Sequence, residues 1–398
     1  MHTKTLATTV ILYLNADHDS ALHRRRLDGI RRYAKTFRWN VATLEWDKTD
    51  AAEVRRMVSR FRPVGCIMEC RYSIRVLPPR FFGRVPVVYF EPPEGKEWRS
   101  ALRVVCDNAA IATVAFRELS RGKPPSFAVV PHPLRGSRWS DERVETFAGL
   151  CRKANMRCDV FDGSLSADWE EARRTAAGRA ERLADWIDSL PRHCAVFAVN
   201  DHAAGETARA LAATRRSLPY DATLLGSDAL DAQDGFSGPT TISSVRLDFE
   251  HSGYLAAKLL GAAASGVTNR SMPVFGPLLV ERRKSTAGRG RREPHILEAI
   301  ETIRREACDG LAVADLAARF PGSRRLFEMR FKEAAGHSAL DEILNVRMER
   351  VLTLLARPDF PIGAIADFCG FGCADDLRKR FRDRFRVSMR TWRSEHCR

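Results

Sequence analysis

"IADFCGFGCADDLRKRFRDRFRVSMRTWR", residues Ile365–Arg393, decides how the carboxyl-terminal quarter of this chain folds. It admits three readings: a metal knuckle around Cys369 and Cys373, a charged surface helix, or a helix that lies against nucleic acid. A zinc site needs two further ligands, and only His396 and Cys397 lie near in sequence, at no zinc-site spacing. No metal is therefore expected. Ile362, Ile365, Ala366 and Phe368 share one helical face, Gly370 to Gly372 make a turn, and Leu377 and Phe381 point inward from a second helix. From Leu377 to Arg393 eight basic residues stand against one acidic, an asymmetry that a merely solvated face does not require.

The same layout occurs upstream in "VADLAARFPGSRRLFEMRFKEAAG", Val313–Gly336. Val313, Leu316, Ala317 and Phe320 form a short amphipathic helix, Pro321-Gly322 breaks it, and Ser323 is placed to cap the next. Phe327 and Phe331 then face inward, leaving Arg324, Arg325, Glu328 and Arg330 to point outward. One such helix, turn and helix would read as an ordinary charged hairpin; two copies point to paired helix-turn-helix motifs. Between them "SALDEILNVRMERVLTLLA", Ser338–Ala356, predicts a connecting helix. Eighteen helical residues span about 27 Å. Successive major grooves on one face of DNA lie about 34 Å apart, within reach once helix packing at both ends is added.

Further toward the amino end, "ERRKSTAGRGRREP", Glu281–Pro294, breaks the apolar pattern and reads as a linker, and "HILEAIETIRREA" resumes helical spacing. Before the linker, short apolar runs alternate with amphipathic stretches. "TVILYL", "VGCIMEC", "PVVYFE", "SFAVVP", "CAVFAVND" and "ATLLGSD" are strand candidates, and their alternation with helices predicts parallel sheets flanked by helices. Such sheets bind ligands at the carboxyl ends of their strands. There stand Glu69, Arg71, Glu91, Asn200, Asp201 and Asp228. Each alone could simply cap a helix. Gathered round one crevice they suit a polyhydroxylated ligand, whose hydroxyls both donate and accept.

The chain has 398 residues, which at about 150 per domain implies two to three domains. Its net charge of +15 favours a polyanionic partner. Residues 1 to 280 share that basic surplus, so the motifs are the stronger sign of DNA. No run reaches the length of a membrane span, and the amino end lacks the basic region and cleavage site of a secretion signal. Ten cysteines scattered singly suit a reducing cytosol, so the protein is expected in the cytoplasm, away from membranes.

A resemblance now joins these readings. "VCDNAAIATVAF", "SDERVETF", "AVFAVNDHAA", "LLGSDAL" and "TTISSVRLDFEHSGYLAAKLL", closing with "LLVERRKST", resemble in order and spacing the core of the lac/gal-repressor and periplasmic sugar-binding superfamily. Residues from about 295 to 396 resemble the AraC/XylS-type DNA-binding domain, and the combination resembles the bacterial xylose-regulator family. The resemblance implies a two-lobed α/β, periplasmic-binding-protein-like core over residues 1–284, a linker over 285–294, and an all-α domain with two helix-turn-helix motifs over 295–398. The amino-terminal DNA-binding headpiece of the repressors is expected to be absent. On the ligand the resemblance places Arg143, Asn200 or Asp201, and Asp228, with Asn15, Asp17 and Arg71 from the first lobe. On DNA it places Ser323, Arg324, Arg325, Glu328 and Arg330 in the first motif, and Ala374, Asp375, Arg378, Lys379 and Arg382 in the second. Where the family has a glycine this chain has Arg386, a further phosphate contact, and where it has a proline this chain has Met389.

The function so implied is sequence-specific transcription regulation, with an activator expected, under control of a pentose-like carbohydrate. Double-stranded DNA, that carbohydrate, a second copy of the chain and RNA polymerase are the expected partners, with no cofactor. A sensor acting only through protein contacts is the alternative. An enzyme is a more distant one: His193, Cys194 and His202 lie near strand ends, but no catalytic motif accompanies them.

Overall fold

A computed structural model describes residues 9–15, 21–46, 49–70, 76–93, 95–134, 137–163, 169–230, 241–267, 272–286, 294–335, 337–357 and 360–396. The protein divides into two compact units, Met1–Arg291 and Arg292–Arg398.

The first unit holds two six-stranded sheets. One runs in the order β11-β5-β4-β3-β1-β2, where β1 is Val10–Asn15, β2 Asn40–Glu45, β3 Gly65–Glu69, β4 Val87–Phe90, β5 Leu102–Cys106 and β11 Val274–Phe275. The other runs β12-β10-β9-β8-β6-β7, where β6 is Phe127–Val130, β7 Cys158–Val160, β8 Cys194–Ala198, β9 Ala222–Ser227, β10 Ser243–Leu247 and β12 Pro277–Glu281. Neighbouring strands are parallel throughout, except that β12 is antiparallel to β10. Parallel sheets are covered on both faces, which is why Ile11 to Leu14 and Cys194 to Ala198 are unbroken apolar runs with every residue buried.

Helices α1 (Ala21–Phe37), α2 (Ala51–Phe61), α3 (Asn108–Ser120), α4 (Arg138–Lys153), α5 (Trp169–Ser189), α6 (Asp201–Ala213) and α7 (Phe249–Ala264) cover those faces. The chain passes between sheets three times: through α3 after β5, through α7 after β10, and between β11 and β12. These passages make the unit two lobes with a cleft between them. Within the first lobe α1 and α7 meet backbone to backbone. A Cβ on Gly29 would lie 1.8 Å from the Glu250 carbonyl, and one on Gly253 would lie 1.9 Å from that of Arg26. Only glycine allows this crossing.

In each sheet the chain order reverses between two neighbours, β1 and β3 in the first, β6 and β8 in the second. Crevices open at the carboxyl ends of such strand pairs. The bonding of the second sheet continues past its last strand: Ser285 Oγ accepts from the Ser243 amide at 2.8 Å, and Thr286 lies 2.6 Å from the Ser243 hydroxyl.

The second unit is helical, with α8 (Pro294–Glu306), α9 (Val313–Ala318), α10 (Arg324–Ala335), α11 (Ala339–Leu355), α12 (Ile365–Phe368), α13 (Ala374–Phe385) and α14 (Met389–His396). Phe320 stacks on Phe327 at 5.4 Å in the first motif, while Met348, Val351, Ile365, Leu377 and Phe381 share the core of the second. The 17 residues of α11 join the two. Ser338 and Asp341 cap its start reciprocally, the motif that satisfies two free amides at once. Its Arg347 donates to the carbonyls of Ala307 and Leu311 at 2.8 and 2.9 Å, and Arg393 donates to that of Leu355 at 3.0 Å. The connecting helix is thus tied from its middle to the segment before α9, and from its carboxyl end to α14. In the Cys-Gly-Phe-Gly-Cys turn Gly370 takes φ 73°, and a Cβ there would lie 2.7 Å from the Ala307 carbonyl.

Candidate functional site

Arg143 organises the cleft. Helix α4 presents it, and its buried guanidinium donates from Nε to Asn108 Oδ1 at 3.0 Å and from Nη1 to the Val199 carbonyl at 2.7 Å and Ser227 Oγ at 2.8 Å. The same Nη1 stands 4.0 Å from Asp228 Oδ1. Asn108 in turn donates to Glu142 at 2.8 Å, and the Trp139 ring lies 4.8 Å from the guanidinium. One cation therefore draws together the ends of β5, β8 and β9.

Two carboxylates face it from left-handed backbone. Asp228 follows β9 at φ 103° and Glu91 follows β4 at φ 51°. Non-glycine residues rarely adopt such angles, and they persist where the surroundings enforce them. Burial pushes the Asp228 carboxyl up to about 6, against the pull of Arg143 and with the help of Glu91. Glu91 is exposed as a residue, yet its carboxyl lies deep enough in the cleft that desolvation raises its pKa despite Arg26 and Arg143. From the first lobe, Arg25 of α1 reaches across to the carbonyls of Asp228 and Ala229 at 3.4 Å each.

Glu69 has a different role. Its carboxylate pairs with Arg26 at 2.9 Å and is also bonded by the Tyr13 hydroxyl and His23. Burial opposes its ionisation, but His23 and Arg26 hold it down to about 2. The Arg26 guanidinium lies 4.2 Å from the Phe90 ring. Glu69 thus anchors α1 to the sheet.

The expected ligand residues are distributed unevenly. Arg143 and Asp228 come together. Asn15 is buried at the end of β1. Asn200 caps α6, its Oδ1 accepting from the Ala203 amide at 2.9 Å. Asp201 accepts from the Leu230 amide at 2.7 Å with one oxygen and from the Ser244 hydroxyl at 2.7 Å with the other, so its carboxyl is engaged within the second lobe rather than presented to the cleft. Asp17 and Arg71 lie outside the described residues. Sequence reading did not select Asn108, Ser227 or Trp139. Asn108 and Ser227 stand beside Asp107 and Asp228 in segments that resemble the sugar-binding core, the only signal available. His132, buried against Trp139 at 5.0 Å, is driven down to about 4, chiefly by burial, and is neutral.

On the helical unit Ser323 caps α10 by accepting from the Leu326 amide at 3.2 Å. Arg324 and Arg325 are exposed, and Arg324 pairs with Glu328 at 2.8 Å. Glu328 and Arg330 are half-buried, so they border the outer face instead of pointing freely from it. On α13 Asp375, Arg378, Lys379 and Arg382 are exposed, Arg378 pairs with Asp375, and Ala374 is half-buried against the core. Arg386 is exposed and takes the left-handed φ of 61° while its amide donates to the Arg382 carbonyl at 2.8 Å. Cys369 is buried, whereas the exposed Cys373 caps α13. Among the described residues no group of three His, Cys, Asp or Glu is placed to hold a metal. No described helix is long and apolar enough to cross a membrane.

A regulator needs one part that senses and one that reads DNA, and this chain has both: it is a DNA-binding transcription regulator with a periplasmic-binding-protein-like sensor core. Residues 116–286 match the periplasmic binding protein-like domain, and residues 316–395 match a helix-turn-helix domain of the AraC type. The chain is homologous to the xylose operon regulatory proteins of Haemophilus influenzae, at 26% identity over 73% of this chain and 74% of the relative, and of Escherichia coli K12, at 28% over 67% of each. Among solved structures, a xylose-binding transcription activator superposes with a TM-score of 0.54 at 22% identity, covering 98% of both chains. A ribose operon repressor from Lactobacillus acidophilus superposes at 0.52 and 20% identity, covering 71% of this chain and 99% of its own. These likenesses in shape speak to the fold.

Proposed function

We propose that the chain is a cytoplasmic, carbohydrate-responsive activator that binds a neutral pentose-like sugar in the cleft and DNA through α10 and α13. The observation that carries the sugar reading is the Arg143, Asp228 and Glu91 cluster at the strand ends, beside the half-buried Trp139. A guanidinium donor, carboxylate acceptors and an indole face are what a polyol's hydroxyls and apolar C–H surface require. The carboxyls of Glu69, Glu91, Glu142 and Asp228 are matched by the guanidiniums of Arg25, Arg26, Arg138 and Arg143 around the cleft, so no excess of positive charge there favours a sugar acid. Its homologues regulate xylose operons, and that supports a pentose.

Sugar binding draws the lobes together, and a bound effector shifts DNA occupancy only in proportion to its differential affinity for the two states. We propose further that the protein acts as a homodimer, recruits RNA polymerase, and works by binding rather than turnover. Asn15, Asp17, Arg71 and Asn200 are proposed as subsidiary ligand contacts. Thermal unfolding against pentoses, hexoses and sugar acids tests the reading. One neutral sugar should raise the melting temperature saturably, and Asp228→Ala should abolish the shift. A sugar acid as the sole stabiliser, or a shift intact in the variant, would defeat it.

A further inference from the structure

The two recognition helices begin in register. Ser323 precedes α10 and Cys373 precedes α13, each helix has 12 residues, and the inward Phe327 and Phe331 of the first answer to Leu377 and Phe381 of the second. Six residues past each cap, on the outer face, α13 carries Lys379 and α10 carries Met329. Met329 is 58% exposed, although the core beneath α10 is filled by Phe320, Phe327 and Phe331. An apolar side chain there leaves the core no better packed and disturbs an otherwise charged face that runs from Arg324 and Arg325 to Lys332.

We propose that Met329 is a specificity-determining residue that selects thymine, by packing against the thymine methyl group in the major groove entered by α10. Of the four bases only thymine carries an apolar group on that groove edge, and apolar side chains recognise it by contact. Beside Met329 the exposed Arg325 suits the guanine edge, while Glu328 at the border of the face can accept from a cytosine amino group only by exchanging its pair with Arg324. In the second motif the same position holds a cation, Lys379, so the two half-sites are read differently. The operator that follows is two unlike elements about one helical turn apart rather than a repeat of one element.

The inference rests on DNA reading through α10, and the test separates the two. The full-length protein is used to select duplexes from a randomised library, beside Met329→Ala and Met329→Lys. Because Met329 is exposed, both variants should melt like the parent. The parent should enrich thymine at one fixed position in the half-site. Met329→Ala should flatten that position alone, and Met329→Lys should move it toward guanine. On the selected site, replacing that thymine by uracil removes only the methyl group. It should weaken the parent about three- to ten-fold and leave Met329→Ala unchanged. Identical preferences in all three proteins, or a uracil effect that persists in Met329→Ala, would overturn the assignment. So would unchanged DNA selection with lost transcription, which would make Met329 a protein contact. No enrichment by the parent would overturn DNA reading itself.

Discussion

The sensor cleft and the recognition helices both present arginines and carboxylates, but on opposite terms. In the cleft Arg143 and Glu69 are buried and each is bonded to several partners fixed by different elements. On α10 and α13 the pairs are local and exposed, Arg324 with Glu328 and Arg378 with Asp375. Buried pairs are costly to break, because the remaining charge is left in a poor solvent. Exposed pairs on one helix contribute a few tenths of a kcal/mol at most and open readily. The cleft is therefore built for fixed geometry, and the helices for exchange of an internal partner against a phosphate or a base.

The largest effect should come from Glu69→Ala, which leaves Arg26, His23 and Tyr13 facing an apolar gap. Urea unfolding should show a loss of about 3–5 kcal/mol in the sensor unit. A loss below about 1 kcal/mol would mean that Glu69 belongs to the exposed kind of pair, and the comparison would fail at its strongest point.

Asp228 comes next, and its titration supplies the sign. Its folded pKa of about 6 lies above the ordinary aspartate value, so the protonated form is favoured in the folded sensor. The stability so gained is complete below about pH 4 and is lost as pH rises through 6, on the order of 2–3 kcal/mol in all. A sugar hydroxyl donating to the ionised carboxylate works the other way. Sugar affinity should rise from pH 5 to pH 7, and Asp228→Asn should remove both dependences. Calorimetric titrations at several pH values check this; a flat affinity profile in the parent would put the sugar elsewhere.

Smaller still are the changes on the helices. Arg382→Ala, one turn beyond the base-reading position of α13, should weaken binding to all sequences alike and reduce the salt slope of DNA affinity by about 0.9, as the loss of one phosphate contact does. Arg325→Ala should cost about 1–3 kcal/mol on the preferred site alone, because a base contact is lost. Fluorescence anisotropy at several salt concentrations distinguishes the two, and equal effects on all sequences from both variants would remove the distinction between positioning and reading.

The same contrast explains what could be read in the sequence. Strands β1, β3, β4, β6, β8 and β9 and both helix-turn-helix motifs were legible because their apolar patterns are local, and Ser323 as a cap because its partner is three residues away; the remaining six strands, shorter or less apolar, were not. The cleft was only half legible. Arg143 and Asp228 stand in recognisable segments, but nothing near Glu69 or Asp201 announces that their carboxyls are engaged internally. Their partners, Tyr13, His23, Arg26 and Ser244, arrive from other elements. The left-handed backbone at Glu91 and Asp228 was equally silent, since neither is a glycine.

Arg386 brings both halves of the comparison to one residue. It ends α13 at φ 61°, where the resemblance leads one to expect glycine, and its exposed side chain is free to approach a phosphate. A left-handed conformation costs a non-glycine residue about 1–2 kcal/mol, part of which glycine returns through the greater freedom of its unfolded chain. Arg386→Gly should therefore stabilise the helical unit by less than about 1 kcal/mol, a rise of a few degrees in its melting temperature. It should at the same time lower DNA affinity and reduce the salt slope by about 0.9. Stability gained with DNA binding unchanged would leave Arg386 as strain without function. Stability gained at the expense of binding would show a residue held in an unfavourable conformation by what it does on DNA, the exposed counterpart of Asp228 in the cleft.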